Sequence, residues 1–232
     1  MTAEVLWSLV VPLKPLRSAK TRLAGAVSPA GRALLALAFA SDTVAAALAC
    51  AAVADVTVVT DDPEAAVELA GRGALVVPDS PRGGLNAALA HGARVVRARR
   101  PGAPVAALGA DLPALRPVEL GAVLAAAAPR RRAFLADADG VGTTLLAAAG
   151  GVELAPAFGG PSRGGHLASG ARELRLAGVE SVRRDVDTAA NLRAALALGV
   201  GPRTARAVRA VGADRGEGAY RAVRGRSAAS PG

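Results

Sequence analysis

At 232 residues the chain is long enough for one large α/β domain whose core needs no covalent or metal staple. Hydrophobic residues make up 52% of it and aromatic residues only 2%, so that core must be assembled from many small aliphatic side chains. The formal charge is +9, but from Pro202 onward seven arginines stand against Asp214 and Glu217, a net of +5 that leaves +4 on the first 201 residues.

The positive excess therefore belongs mainly to residues 202–232, a basic tail without sustained apolar periodicity that is expected to be disordered, and residues 1–201 form the expected domain. Nucleic acid is not an expected partner of that domain; an arginine-rich arm touching RNA is the minority alternative. The lone cysteine, Cys50, excludes an internal disulfide framework and a cysteine-based zinc site and fits a reducing cytoplasm. No membrane partner is expected either. The apolar run at residues 5–13 is too short for a span, and the one at residues 33–54 is broken by Ser41, Asp42 and Thr43, which suits a core helix.

In chain order, short Val/Leu/Ala runs alternate with longer Ala/Leu/Glu/Arg segments, the pattern of repeated βα units around a mostly parallel central sheet in a three-layer α/β/α arrangement. Strands are predicted at residues 5–13, 55–60, 74–79, 104–111, 132–137, 142–148 and 179–186. Helices are predicted at about residues 29–54, 63–71, 85–99, 118–128, 166–176 and 188–198. Open sheets of this kind bind ligands beyond the carboxyl ends of their strands, so the residues that follow each strand carry the functional expectation.

After the first strand comes "LKPLRSAKTRL", which holds Lys14, Arg17, Lys20 and Arg22, and Lys14 and Lys20 are the only lysines of the chain. The segment lacks the glycines of a phosphate-binding P-loop and of a dinucleotide fingerprint, which argues against both classes. Four cations there would instead neutralise a polyphosphate by point charge and by bidentate contact. Asp61 and Asp62 follow the second strand, Asp79 the third, and Asp111, in "LGADLP", the fourth. Asp185 and Asp187 are two apart, so an extended chain would point both the same way. Cations and carboxylates along one rim predict an anionic ligand held partly through a divalent cation such as Mg2+, a hard ion that takes oxygen ligands and shares them with phosphates. A strand-end aspartate such as Asp111 also suits an ordinary helix cap, and Thr188 suits the cap of the helix that follows it.

Two glycine-rich stretches complete the set. In "GGLNAALAHG", Gly83 and Gly84 would let a flat base approach the backbone and Asn86 would read its edge or cap the helix, while His91 is expected to be structural. In "FGGPSRGGH", Gly159, Gly160, Ser162, Gly164 and Gly165 lead into a helix near His166 and offer backbone amides to a phosphate or carboxylate.

Together, "LKPLRSAKTRL", "VVTDD", "GGLNAAL", "LGADLP", "GTTLLAA", "FGGPSRGGH" and "DVDTAANL" resemble the CofC/FbiD family of guanylyltransferases of coenzyme F-420 biosynthesis, over about residues 5–200. The resemblance implies a GT-A-like, Rossmann-like nucleotidyltransferase fold. It implies transfer of GMP from GTP to phosphoenolpyruvate, with 2-phospho-L-lactate or 3-phosphoglycerate as the alternative acceptors. Pyrophosphate leaves, and the product passes to the next F-420 biosynthetic transferase; a homodimer is compatible with all of this. By the same resemblance Thr144, Gly159 and Ser162 bind the phosphoenolpyruvate-type substrate. Asp111 and the Asp185/Asp187 pair hold magnesium; Lys14, Lys20 and Arg22, with Gly84 and Asn86, face the nucleotide; and Lys20, Arg22 and Asp111 are the catalytic set. Where many relatives read Asp-Leu this chain has Asn191-Leu192. A nucleotide-binding protein of the same fold without catalysis is the alternative from another class.

Overall fold

A computed structural model of the chain describes residues 6–213. Seven strands form one sheet in the order β3-β2-β1-β4-β6-β5-β7. They span Trp7–Pro12 (β1), Val53–Val59 (β2), Leu75–Val77 (β3), Val105–Leu108 (β4), Arg132–Ala136 (β5), Thr143–Ala148 (β6) and Arg172–Glu173 (β7). All neighbours pair in parallel except β6, which runs antiparallel between β4 and β5. The ends of β1, β4 and β5 and the start of β6 therefore share one rim.

The helices are Pro29–Leu48 (α1), Pro63–Ala70 (α2), Leu85–Arg99 (α3), Pro117–Ala127 (α4), Ser162–Ala168 (α5), Glu180–Arg183 (α6), Ala189–Leu198 (α7) and Pro202–Ala213 (α8). Prolines open α1, α2 and α4 at positions whose amide would have no helical partner. The central strand is apolar on both faces, as a sheet covered on both sides requires. Leu9 and Val11 pack with α1, α2 and α4, whereas Val10 packs with Ala88, Leu89, Ala93 and Val96 of α3. A further layer forms where the outer face of α1, with Leu35 and Phe39, meets α7 and α8. The apolar length of α1 is thus accounted for by packing on both of its sides.

Four expectations need correction. Residues 179–186 do not form a strand: Val179 and Val182, at helical spacing, are buried together, and α6 occupies Glu180–Arg183. A short apolar run with branched side chains suits either element, and the tertiary contact decides. The helix predicted at residues 166–176 is α5, which starts at Ser162 and stops before Gly170, whose φ of +80° favours glycine; β7 follows. The first helix ends at Leu48, not residue 54.

The tail is corrected over its first turns. Residues Pro202–Ala213 are helical, with Thr204, Ala207 and Val208 buried at i, i+3, i+4 spacing. The buried carboxylate of Asp42 in α1 accepts hydrogen bonds from the amides of Arg203 (3.2 Å) and Thr204 (2.7 Å), capping α8 from across the interface. Residues 214–232, including Asp214 and Glu217, lie outside the described residues.

Candidate active site

The segment after β1 folds back over the rim through two short 3-10 turns, Leu16–Ser18 and Thr21–Leu23, anchored by the buried side chains of Leu16 and Leu23. Asp62 holds it in place by accepting from the Leu16 amide at 2.9 Å. Between the turns Lys20 adopts the left-handed conformation, φ +55° and ψ +40°, which costs a non-glycine residue about 1–2 kcal/mol. Two charge-assisted contacts hold it there: Nζ donates to Asp111 Oδ2 at 2.5 Å and to Asp187 Oδ1 at 3.0 Å. The side chain is only 10% exposed, so the two carboxylates act on it at close range. Burial lowers the ammonium pKa, but Asp111 and Asp187 outweigh it and leave the value above the ordinary one. Arg22, 74% exposed, stands 3.7 Å from the other oxygen of Asp187.

Backbone bonds gather the acidic residues. The amide of Val186 donates to the Asp111 carbonyl at 3.0 Å, and that of Ala138 donates to the Arg183 carbonyl at 2.9 Å. Arg183 Nη2 in turn donates to the Asp137 carbonyl. The strand ends of β4 and β5 are thereby tied to residues 183–187, with Val186 buried and Asp185 and Asp187 turned to the cleft on either side of it. The i, i+2 expectation holds although the segment is not a strand. Burial first, and then the charges of Asp111, Asp187 and Asp137, push the Asp185 carboxyl up to about 7.

These residues line a cleft of about 880 Å³. The glycine-rich loop lines the same cleft through Phe158, Gly159, Gly160, Pro161 and Ser162, together with Thr143 of β6 and with Asp137 and Asp139. Gly159 and Gly160 have φ of +109° and +51°, a path that L side chains resist. Asn86 clamps the loop with both functions of its amide, Oδ1 accepting from the Phe158 amide at 2.8 Å and Nδ2 donating to the Phe158 carbonyl at 3.0 Å.

The structure thus brings Lys14, Lys20, Arg22, Asp111, Asp185, Asp187, Gly159 and Ser162 to one cleft. It does not bring the others. Asn86 lies outside the lining, its amide bonded to Phe158. Gly84 is exposed at the start of α3 with φ +86°, and Arg17 is exposed outside the lining. Asp61 accepts from the Asp79 amide and Arg82, and Asp62 caps α2. Thr144 is buried with its hydroxyl unpartnered, and its neighbour Thr143 lines the cleft. His91 lies on α3 outside the lining, and Asn191 completes a capping box with Thr188. Asp137 is an addition: it follows β5 as Asp111 follows β4, so the same strand-end rule reaches it. Its carboxylate accepts from the amides of Val141 and Gly142, and a Cβ on Gly142 would come within 2.4 Å of it.

No three His, Cys, Asp or Glu side chains among the described residues are arranged to hold a cation unaided, and Lys20 stands between Asp111 and Asp187. The cleft presents the cations Lys14, Lys20 and Arg22 and the backbone and hydroxyl groups of the glycine-rich loop to an anionic ligand.

A family model described as "Guanylyl transferase CofC like" matches residues 7–215. The chain belongs to the CofC-like guanylyltransferase family. It is 69% identical over 199 residues to the phosphoenolpyruvate guanylyltransferase of Streptomyces coelicolor, covering 86% of this chain and 94% of that one. It is 65% identical over 203 residues to the phosphoenolpyruvate guanylyltransferase of Thermomonospora curvata, covering 88% and 89%. Among solved structures, a nucleotidyl transferase from Methanothermobacter superposes with a TM-score of 0.60 at 21% identity, over 83% of this chain and 97% of that one. A CMP:2-keto-3-deoxy-manno-octonic acid synthetase complexed with CTP gives 0.50 at 17%, over 83% and 98%. At such identities these two bear on the fold alone, which is the nucleotidyltransferase fold.

Proposed function

We propose that this guanylyltransferase condenses GTP with phosphoenolpyruvate, giving enolpyruvyl-diphospho-guanosine and pyrophosphate, as a step of coenzyme F-420 biosynthesis in the cytoplasm. The observation that carries the reading is one cleft lined both by Lys14, Lys20, Arg22 and the aspartates and by the glycine-rich loop with its hydroxyls, which suits two anions that must meet. Membership of the family and the names of its relatives support the acceptor.

An oxygen of the acceptor's phosphate attacks the α-phosphorus of GTP, a new P–O–P bond forms, and the bond to the β-phosphate breaks with pyrophosphate leaving. The acceptor is already an anion at neutral pH, so no side chain has to deprotonate it; the barrier is charge repulsion and alignment. Lys20, Arg22 and Lys14 would neutralise the triphosphate and the departing pyrophosphate, Lys20 being held in advance by Asp111 and Asp187. The glycine loop would hold the acceptor in line through amides and the Ser162 hydroxyl.

The acidic cluster fits magnesium: its donors are hard oxygens, and the charges of Asp111, Asp187 and Asp137, which after burial raise Asp185, are a local excess of negative charge that a divalent cation relieves. Asp111 with Asp185 or Asp187 would hold it, and substrate phosphates would complete its shell. When bound, the ion supplies Lewis-acid polarisation of the α-phosphoryl group.

The test is pyrophosphate release from GTP with phosphoenolpyruvate, 2-phospho-L-lactate and 3-phosphoglycerate offered singly. Release is expected to be fastest with phosphoenolpyruvate. Faster release with either other acid would reassign the acceptor, and release with none would overturn the reaction.

A further inference from the structure

His166 is one of two histidines in the chain and is completely buried, outside the cleft lining. Its ring packs between Phe134, centroids 5.5 Å apart, and Phe158, 5.0 Å apart and edge-on. Both of its nitrogens are engaged. The backbone amide of Ala157 lies 3.0 Å from Nε2, and Thr143 Oγ1 lies 2.9 Å from Nδ1.

The backbone amide can only donate, so Nε2 must accept and carries no proton. In a neutral imidazole the proton then sits on Nδ1, which must donate to Thr143 Oγ1. Burial and the nearby Arg132 guanidinium hold the ring's pKa down at about 4, so the neutral form is the one present at neutral pH. With one lone pair occupied by His166, the Thr143 hydroxyl has its own proton left to give, and Thr143 lines the cleft beside Ser162 and Gly159.

The backbone explains how Thr143 comes to face His166. Leu135 pairs with Leu145 but Ala136 pairs with Thr143, so Thr144 is an extra residue and the register shifts between Leu135 and Ala136. Phe134 and Ala136 belong to the core cluster on the α3 face, and the shift sets Thr143 opposite Ala136 on the side where His166 lies. A bulge of this kind re-aims one side chain beside a site. The loop is braced independently: Arg132 donates to the carbonyls of Leu154 and Ala155 just before it, and Asn86 holds Phe158.

We infer that His166 is a positioning residue that fixes the Thr143 hydroxyl as an obligatory hydrogen-bond donor to the anionic three-carbon acid. The inference rests on the placement of the acceptor at the glycine-rich loop. A donor locked in direction favours an acceptor oxygen at that point and would leave a buried pair unsatisfied for an analogue lacking it.

Long-range 1H–15N correlation on the full chain at pH 7 without substrates reads the tautomer directly, the His166 signals being those absent from the H166N spectrum. A proton on Nδ1 is expected; a proton on Nε2, or a mixture, would overturn the inference. In kinetics, T143V should raise KM for phosphoenolpyruvate by about tenfold to a hundredfold, with KM for GTP little changed, and T143S should restore it. An unchanged acceptor KM in T143V would overturn the inference.

The histidine replacements separate its two bonds. In H166N the amide nitrogen reaches the place of Nδ1 and still donates to Thr143; in H166Q the amide oxygen reaches the place of Nε2 and serves only Ala157. Acceptor KM should stay closer to the parent in H166N than in H166Q, and the reverse order would sink the claim. The tautomer measurement needs no turnover, so failure of the proposed reaction is distinguishable from failure of this geometry.

Discussion

Asp185 offers a perturbation whose sign can be worked out in advance. In the folded chain its carboxyl is pushed up to about 7 from the ordinary 3.8, because burial and then the charges of Asp111, Asp187 and Asp137 oppose ionisation. Between those two values the native state keeps a proton that the unfolded chain has lost. Stability therefore falls as pH rises through that window, and the deficit is complete above about 7. That difference corresponds to about 4 kcal/mol in the limit, and solvent at the cleft reduces it to about 2 kcal/mol. Asp185→Asn removes the ionisation at similar volume. At pH 8 the variant should be more stable than the parent by about 2 kcal/mol, or about 4–8 °C in Tm for a chain of this size. At pH 4 the two should coincide.

The assay is thermal unfolding of both proteins from pH 4 to pH 8 with a chelator present. Glu68, held low first by the Ser41 hydroxyl, and Glu173, held low by Arg163, contribute stability above the carboxylate range in both proteins and cancel in the difference. A difference independent of pH, or a parent more stable than the variant at pH 8, would refute the reasoning. Magnesium added at pH 8 should raise the Tm of the parent more than that of the variant.

Asp111→Asn removes one charge from the pair that holds Lys20 and one oxygen donor from the acidic cluster; turnover should fall by at least about 100-fold with the circular dichroism spectrum unchanged. Asn86→Ala deletes two hydrogen bonds to Phe158. It should cost about 2 kcal/mol in chemical denaturation and raise KM for the acceptor while sparing that for GTP. Asp42→Ala uncaps α8 and should cost about 1–2 kcal/mol, whereas a tail without structure over Pro202–Ala213 would leave the unfolding midpoint unmoved.

Much of the site was legible because a parallel sheet presents the residues that follow its strands. Lys20, after β1, and Asp111, after β4, are both reached by that rule, and Asp185 and Asp187 by their spacing. The rule misses Thr143 for a physical reason: β6 is antiparallel, so its first residue, not the one after its last, lies at the rim. No local sequence signal distinguishes the direction of an apolar strand.

Asn86 and Asp61 show a different limit. Their residue types suit ligand and partner alike, and only the tertiary structure reveals that Phe158 occupies one and Arg82 the other. The α6 segment and α8 were obscured by composition. Valines at i and i+3 serve a strand or a single helical turn, and an apolar stripe made of alanine between arginines gives a weak helical signal.

The central claim is that the acceptor's own phosphate becomes half of a diphosphate. A 31P NMR spectrum of the products from GTP, phosphoenolpyruvate and magnesium, with pyrophosphatase present, tests it most directly. Two mutually coupled diphosphate resonances are predicted, one of them showing the 18O isotope shift when the phosphate of phosphoenolpyruvate is supplied with 18O. Loss of GTP to GMP or GDP with phosphoenolpyruvate left intact would contradict it.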